Sequence, residues 1–309
     1  MSRPNNSFRT LGGGVPVHYD RRNNQDYGTE GGPATFFATA EFEAKLDRCF
    51  EQLWELTPFG RARIITSAGA FVDKPGFHGM GRALDLDGIF WPDKTFATLH
   101  DGFQGGNRPL YLAVEAVLRM HFGQVLNYDF NAAHRDHFHI DDLAPGFRRT
   151  SKTATFFVQN ALTFVLGHSV GRDGVFGPET DAAVVRALSD LGISGSINNL
   201  NVWRQFLLGI VQTVFQANVA SLAADVPSSF TADLVAPVEA RLLSLSADAD
   251  EAGAVLTPTP AELLRNVYSV ISEELGDTSL KPKIEGAVTA FANHTDVQKL
   301  VGSNGQYRP

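Results

Sequence analysis

The run His137-Phe138-His139-Ile140-Asp141 alternates polar and apolar side chains. A period of two is the β-strand repeat, so both imidazoles and Asp141 share one face while Phe138 and Ile140 share the other. Such a strand has one face for a core and one face for chemistry. Two imidazoles converging on the same side are most simply explained by a bound cation, whereas a lone histidine on a strand is usually a structural hydrogen-bonding group. His134 lies just upstream, which places three of the nine histidines within six residues.

A second alternating stretch supplies a partner. From Ala83 to Ile89, Leu84 and Leu86 point one way while Ala83, Asp85 and Asp87 point the other. The turn His78-Gly79-Met80-Gly81-Arg82 feeds this strand, and its two glycines permit close backbone approach and unusual dihedrals. Ala83 leaves room beside Asp85. Read alone, Asp85 and Asp87 are equally consistent with a solvated strand face.

Helices are expected between and after these strands. Phe42, Leu46, Cys49, Phe50, Leu53 and Trp54 recur at three- and four-residue steps, which predicts a helix over 39–56, ended by Pro58-Phe59-Gly60. A short extended piece follows at Arg63 to Thr66, and Pro109 to Phe122 reads as helix. Strands and helices mix without a βαβ rhythm. That predicts an α+β fold, a small antiparallel sheet with helices, followed by an all-helical C-terminal part. Residues 1–35, glycine-rich with few large apolar groups, read as a flexible arm. Residues 36–147 form the candidate catalytic domain, 152–220 a helical domain with candidate helices over 156–166, 178–191 and 202–219, and 221–309 a helical region of unassigned role. In that last region Thr259-Pro260-Ala261-Glu262 is a capping box opening a helix that Gly276 stops.

Composition narrows the partners. Of 309 residues, 26 are Lys or Arg and 34 Asp or Glu, a net charge of −8, which argues against nucleic acid as the main partner. The single cysteine, Cys49, excludes an intramolecular disulfide and a cysteine zinc cage. The most apolar stretch, Phe206 to Val211, falls far short of the roughly 20 residues of a membrane span. Met1 to Arg9 is polar, with no apolar stretch for a secretory signal, so a role at the cell wall or periplasm requires a different export route.

Together the two segments offer a His, an Asp and a further His, three N/O ligands with a fourth position open, the way catalytic Zn2+ is held. The pattern His78-x-x-Gly81-x-Ala83-x-Asp85, followed by Asp136-His137-x-His139, resembles the zinc peptidases of the lysostaphin, D-Ala-D-Ala metallopeptidase and hedgehog superfamily. It is most similar to their extensin-like and D-alanyl-D-alanine carboxypeptidase branch, over about residues 36–146. The resemblance implies that His78, Asp85 and His139 hold zinc, that His137 stabilises the oxyanion, and that Asp136 is the general base. It also implies a Ser two residues before the first ligand and an upstream Arg for substrate. Gly76 stands at the first position and Ser67 to Phe71 contains no Arg, so Arg82 or Lys74 is left as a substitute substrate-binding charge.

A second resemblance follows residue 150. Val158-Gln159-x-x-Leu162 with Asp173-Gly174-Val175-Phe176-Gly177-Pro178-Glu179-Thr180 is similar to a three-helix peptidoglycan-binding domain, although the usual Phe-Gln closing its second helix is absent. Together these features predict a peptidoglycan peptidase cutting an amide of the stem peptide or cross-bridge. It would serve as a phage lysin or an exported antibacterial effector, with an immunity or delivery protein as a further partner. The alternative is a non-catalytic wall-binding protein with a structural or inactive metal site. A non-haem iron triad fits poorly, because its first His and acid are usually two residues apart and these are seven apart. Gly167-His168-Ser169-Val170-Gly171 matches a serine nucleophile elbow but lacks the preceding strand.

Overall fold

The computed structural model describes residues 2–21 and 27–224, with side chains through residue 215. In chain order the elements are β1 (Ser7–Phe8), β2 (Thr10–Leu11), β3 (Val15–Tyr19), β4 (Gly32–Pro33), β5 (Phe36–Phe37), α1 (Ala40–Leu56), β6 (Ile64–Gly69), β7 (Ala83–Phe90) and β8 (Thr95–Ala97). They continue as α2 (Arg108–His121), β9 (Gln124–Leu126), β10 (Phe138–Asp141), α3 (Lys152–Phe164), α4 (Pro178–Asp190) and α5 (Leu200–Ala224). The fold is α+β, as its patterning predicts. The expected helix at Pro260 to Leu275 and the rest of 225–309 lie outside the described residues.

Side-chain caps set the helix starts. Thr39 Oγ1 accepts from Phe42 N at 3.3 Å, Asn107 Oδ1 from Leu110 N at 3.2 Å, and Ser151 Oγ from Ala154 N at 3.3 Å. Each such cap is worth about 1 kcal/mol. Pro109 and Pro178 occupy first-turn positions where no backbone donor is needed.

One sheet runs in the order β2-β3-β6-β7-β10-β9, with β4 added on β3 and β8 on β7. Its pairings are antiparallel except β3 with β6. On the core face, Leu84, Leu86, Phe138 and Ile140 are fully buried. Tyr111 of α2 packs on Phe138 with ring centroids 4.5 Å apart, and α1 meets the end of α2 through Phe42 and Phe122 at 5.8 Å. Burying one such side chain contributes about 1.5–3 kcal/mol.

The described part of residues 1–35 is ordered, which corrects the expectation of a flexible arm. Its apolar residues are few but alternate, so Val15 and Val17 enter the core and β3 joins β6 in register Val17 to Ile65. The turn from β2 to β3 needs its glycines: Gly12, Gly13 and Gly14 have φ of 59°, 71° and 100°. A Cβ on Gly12 would strike Trp54, whose Nε1–H donates to Gly12 O at 2.9 Å.

Residues Met1–Val214 form one compact unit. Within it, a buried polar network joins α2, β9 and α3. Glu115 Oε1 accepts from Arg119 at 2.7 and 2.9 Å, Asn127 donates to both Glu115 oxygens, and Arg119 also donates to Val125 O and Thr153 O. Among the described residues no helix is long and apolar enough to cross a membrane.

Candidate functional site

The register of β7 against β10 builds the site. Asp85 sits opposite His139, and Ala83 opposite Asp141. A single 3-10 turn, His78–Met80, swings His78 onto the same face, and Gly81 closes that turn with φ 65°. A side chain at Gly81 would meet Pro4, so glycine is required twice over.

Three donor atoms converge. His78 Nε2 lies 3.1 Å from Asp85 Oδ1 and 3.0 Å from His139 Nδ1, and His139 Nδ1 lies 3.0 Å from Asp85 Oδ1. Four ligands at about 2.0–2.1 Å from a tetrahedral centre would stand roughly 3.3 Å apart, close to this triangle. The outer partners of the two rings set which atoms face the triangle. His78 Nδ1–H donates to Ala70 O, leaving Nε2 as a lone pair in the neutral ring. His139 turns Nε2 towards the buried Asp141 Oδ2 at 3.7 Å, leaving Nδ1 to face the triangle. With both rings neutral, two imidazole lone pairs and a carboxylate oxygen point at one another, a conflict that either a cation or a shared proton resolves.

The electrostatics agree. Burial would raise the Asp85 pKa, but the imidazoles of His139 and His78 beside it outweigh burial and hold the carboxylate well below its usual range. Burial would lower the pKa of His139, yet Asp141 and Asp85 raise it to about 9. The site draws positive charge. His78, Asp85 and His139 are the candidate metal-holding group among the described residues.

The other expected residues fall around this triangle. His137 turns Nε2 to 3.8 Å from Asp85 Oδ1, while its Nδ1–H donates to Asp136 Oδ1 at 2.8 Å. Asp136 precedes β10, so it escapes strand alternation and can reach back to its neighbour. Its other oxygen accepts from Arg21 at 3.0 Å. Burial would raise the Asp136 pKa, but His137 and Arg21 together hold it well below the ordinary value.

Arg82 does not join the site. It stands one residue before β7, and its guanidinium pairs with Asp142 at 3.1 and 3.2 Å. Nor does His134 reach the triangle; its ring stands 5.1 Å from that of His137, and its Nδ1 bonds Asn131 Oδ1. Sequence reading missed Arg21 because it lies in the stretch taken for an arm. Its signal was the Val15-x-Val17 alternation just before it. Asp141 could have been assigned from the β10 repeat, which already placed it on the histidine face.

The match that bears on this site covers both strands of the triangle. Residues 62–150 match the family model Extensin-like protein C-terminus. This extensin-like segment contains His78, Asp85, Asp136, His137 and His139, and its family is associated with the hedgehog and D-Ala-D-Ala peptidase-like superfamily. Arg21 lies outside the extensin-like segment. No curated protein and no solved structure matches the chain.

Beyond the extensin-like segment, the loop between α3 and α4 is held from within. Gln159, almost fully buried, accepts from Asp173 N and Gly174 N at 3.1 and 2.9 Å. Its amide donates to Asp173 Oδ1, Val175 O and Thr180 Oγ1. The loop presents Val175 to solvent.

Proposed function

We propose that the protein is a zinc-dependent peptidase acting on the peptide stems or cross-bridges of peptidoglycan. The observation that carries this reading is the triangle of His78 Nε2, Asp85 Oδ1 and His139 Nδ1, with edges of 3.0–3.1 Å. Two neutral imidazoles and one carboxylate suit zinc, and three protein ligands leave a position for water or substrate. When bound, zinc polarises the scissile carbonyl and lowers the pKa of water.

Asp136 and His137 act beside it as one proton-handling pair. Both Asp136 oxygens are engaged, so the atom of this pair that faces the ligands is His137 Nε2. In place of the roles the resemblance implies, Asp136 as base and His137 as oxyanion stabiliser, His137 takes the proton of the attacking water and returns it to the leaving amine, and Asp136 orients and stabilises the imidazolium. The extensin-like match, with its association to a peptidase-like superfamily, supports amide hydrolysis. The Gln159-braced loop supports a second wall contact, which would raise local substrate concentration without touching the chemistry. An exported effector or a lysin released on lysis is the role that fits such an enzyme.

Mass spectrometry of sacculi and purified muropeptides tests the reading, with protein loaded with zinc, stripped by chelator, or carrying His139→Ala. The expected result is loss of a stem or cross-bridge amide only with the loaded wild type. Intact muropeptides in every arm, with the protein still sedimenting with sacculi, would favour the non-catalytic wall-binding alternative.

A further inference from the structure

Arg21 is tied to the site through two carboxylates, Asp87 and Asp136. It follows Asp20, a fully buried residue whose N–H donates to Ser67 O at 3.2 Å, carrying the β3–β6 pairing one step further. The Asp20 carboxylate collects Gly28 N and Thr29 Oγ1, which pins the chain on both sides of Arg21. The guanidinium then lies 3.7 Å over the Tyr27 ring. One of its nitrogens donates to Asp87 Oδ1 at 2.9 Å and another to Asp136 Oδ2 at 3.0 Å.

These two carboxylates differ in kind. Asp87 lies two residues beyond Asp85 on the same strand face and is fully buried, so it is a fixed anchor. Asp136 belongs to the turn ahead of β10, and its remaining oxygen holds His137 Nδ1–H at 2.8 Å. We propose that Arg21 is a positioning residue: it locks Asp136 against β7, so that Asp136 fixes the Nδ1–H tautomer of His137 and leaves Nε2 bare towards the metal ligands. The reaction part of this proposal rests on the hydrolase reading above; the tautomer part does not.

Only a planar fork satisfies the arrangement. Lysine offers a point charge with rotatable donors, and cannot bridge two carboxylates while stacking on an aromatic face. The residues that stabilise Arg21, namely Asp20, Tyr27, Gly28 and Thr29, lie with it outside the matched segment. The N-terminal strands thus contribute to the reacting centre as well as to the sheet.

The test uses the full chain, loaded with zinc, as wild type, Arg21→Lys and Arg21→Met. Nitrogen-15 NMR reads the His137 ring, assigned by comparison with His137→Gln, while zinc content and circular dichroism report metal and fold. The expected wild-type spectrum shows His137 as the Nδ1–H tautomer. Both variants should keep their zinc and fold, yet give a tautomer mixture. On muropeptides, kcat should fall by about tenfold or more with KM within about twofold, the pattern of an interaction made only in the transition state. Arg21→Lys in an Asp136→Asn background should cost nothing further.

A folded, zinc-loaded variant with an unchanged His137 tautomer would overturn the proposal. So would a rise in KM at constant kcat, which would make Arg21 a substrate contact. If the wild type cleaves no wall substrate, the hydrolase reading falls, while the NMR comparison still decides the role of Arg21. Should Arg21→Met fail to fold, Arg21→Lys carries the same measurements.

Discussion

His78 Nε2 and Asp85 Oδ1 face each other at 3.1 Å while His78 Nδ1 is turned to Ala70 O, so a neutral His78 has no proton left for the carboxylate. A contact of two acceptors is repulsive unless a positive charge joins them. Purified protein should therefore hold one divalent ion per chain. His78→Ala, Asp85→Ala and His139→Ala should each bring zinc content close to zero with the circular dichroism spectrum retained. Full zinc content in folded Asp85→Ala would remove the triangle from consideration.

Asp141 is placed to tune such an ion from outside. It is buried, receives Gln124 Nε2 at 2.7 Å, and faces His139 Nε2. Asp141→Asn keeps the volume but loses the charge that orients and strengthens His139. Zinc affinity, read by competition with a chromophoric chelator, should weaken by about 10- to 100-fold. Unchanged affinity would show that Asp141 serves only the β10 turn.

Glu115 tests the interior. It is fully buried against Arg119, itself 3% exposed, so Glu115→Ala strands a guanidinium away from water. Loss of one partner of a buried pair costs about 3–5 kcal/mol. Urea unfolding should show a drop of that size, whereas Glu115→Gln, which keeps an acceptor, should cost less. Equal stability of wild type and Glu115→Ala would contradict the pairing.

His121 supplies a pH signature remote from the metal ligands. Burial, then the charges of Lys45, Arg48 and Arg204, lower its pKa to about 4, and its Nε2–H donates to Gln52 Oε1 at 2.6 Å. The unfolded chain, with a pKa near 6.5, takes up the proton first. Stability from this group is thus complete above about pH 6.5 and is lost as pH falls towards 4. With partial exposure discounted, the loss is on the order of 1–2 kcal/mol. Unfolding of wild type and His121→Gln at pH 7.5 and pH 4.5 checks it: the variant should lose less on acidification, and identical losses would refute it.

Much of the candidate metal site's geometry was legible because strand alternation is a short-range rule. Knowing that Leu84, Leu86, Phe138 and Ile140 enter the core fixes where Asp85 and His139 point, and two strands fed by such patterns need only pair to close the triangle. Helix starts were legible for the same reason, since Thr39, Pro109 and Pro178 act within one turn. Arg21 was not legible. Its partners Asp87 and Asp136 are 66 and 115 residues away, and nothing local to an Arg before a glycine-containing loop reports a carboxylate so distant. The strands around it were hidden as well, because glycines read as a sign of mobility were there to turn β2 into β3 beneath Trp54. Arg82 misled in the opposite sense: it is adjacent in sequence to the ligands but faces away from them.

The bond from Arg119 to Thr153 O crosses the very place where the sequence invites a cut between the α+β and the helical parts. An engineer who excised residues 36–147 as a portable domain would discard Arg21 at one end and a partner of Arg119 at the other. A transplantable cassette would have to carry the opening strands and the first helix after residue 150, and chimaeras joined at the apparent linker should come out as insoluble protein.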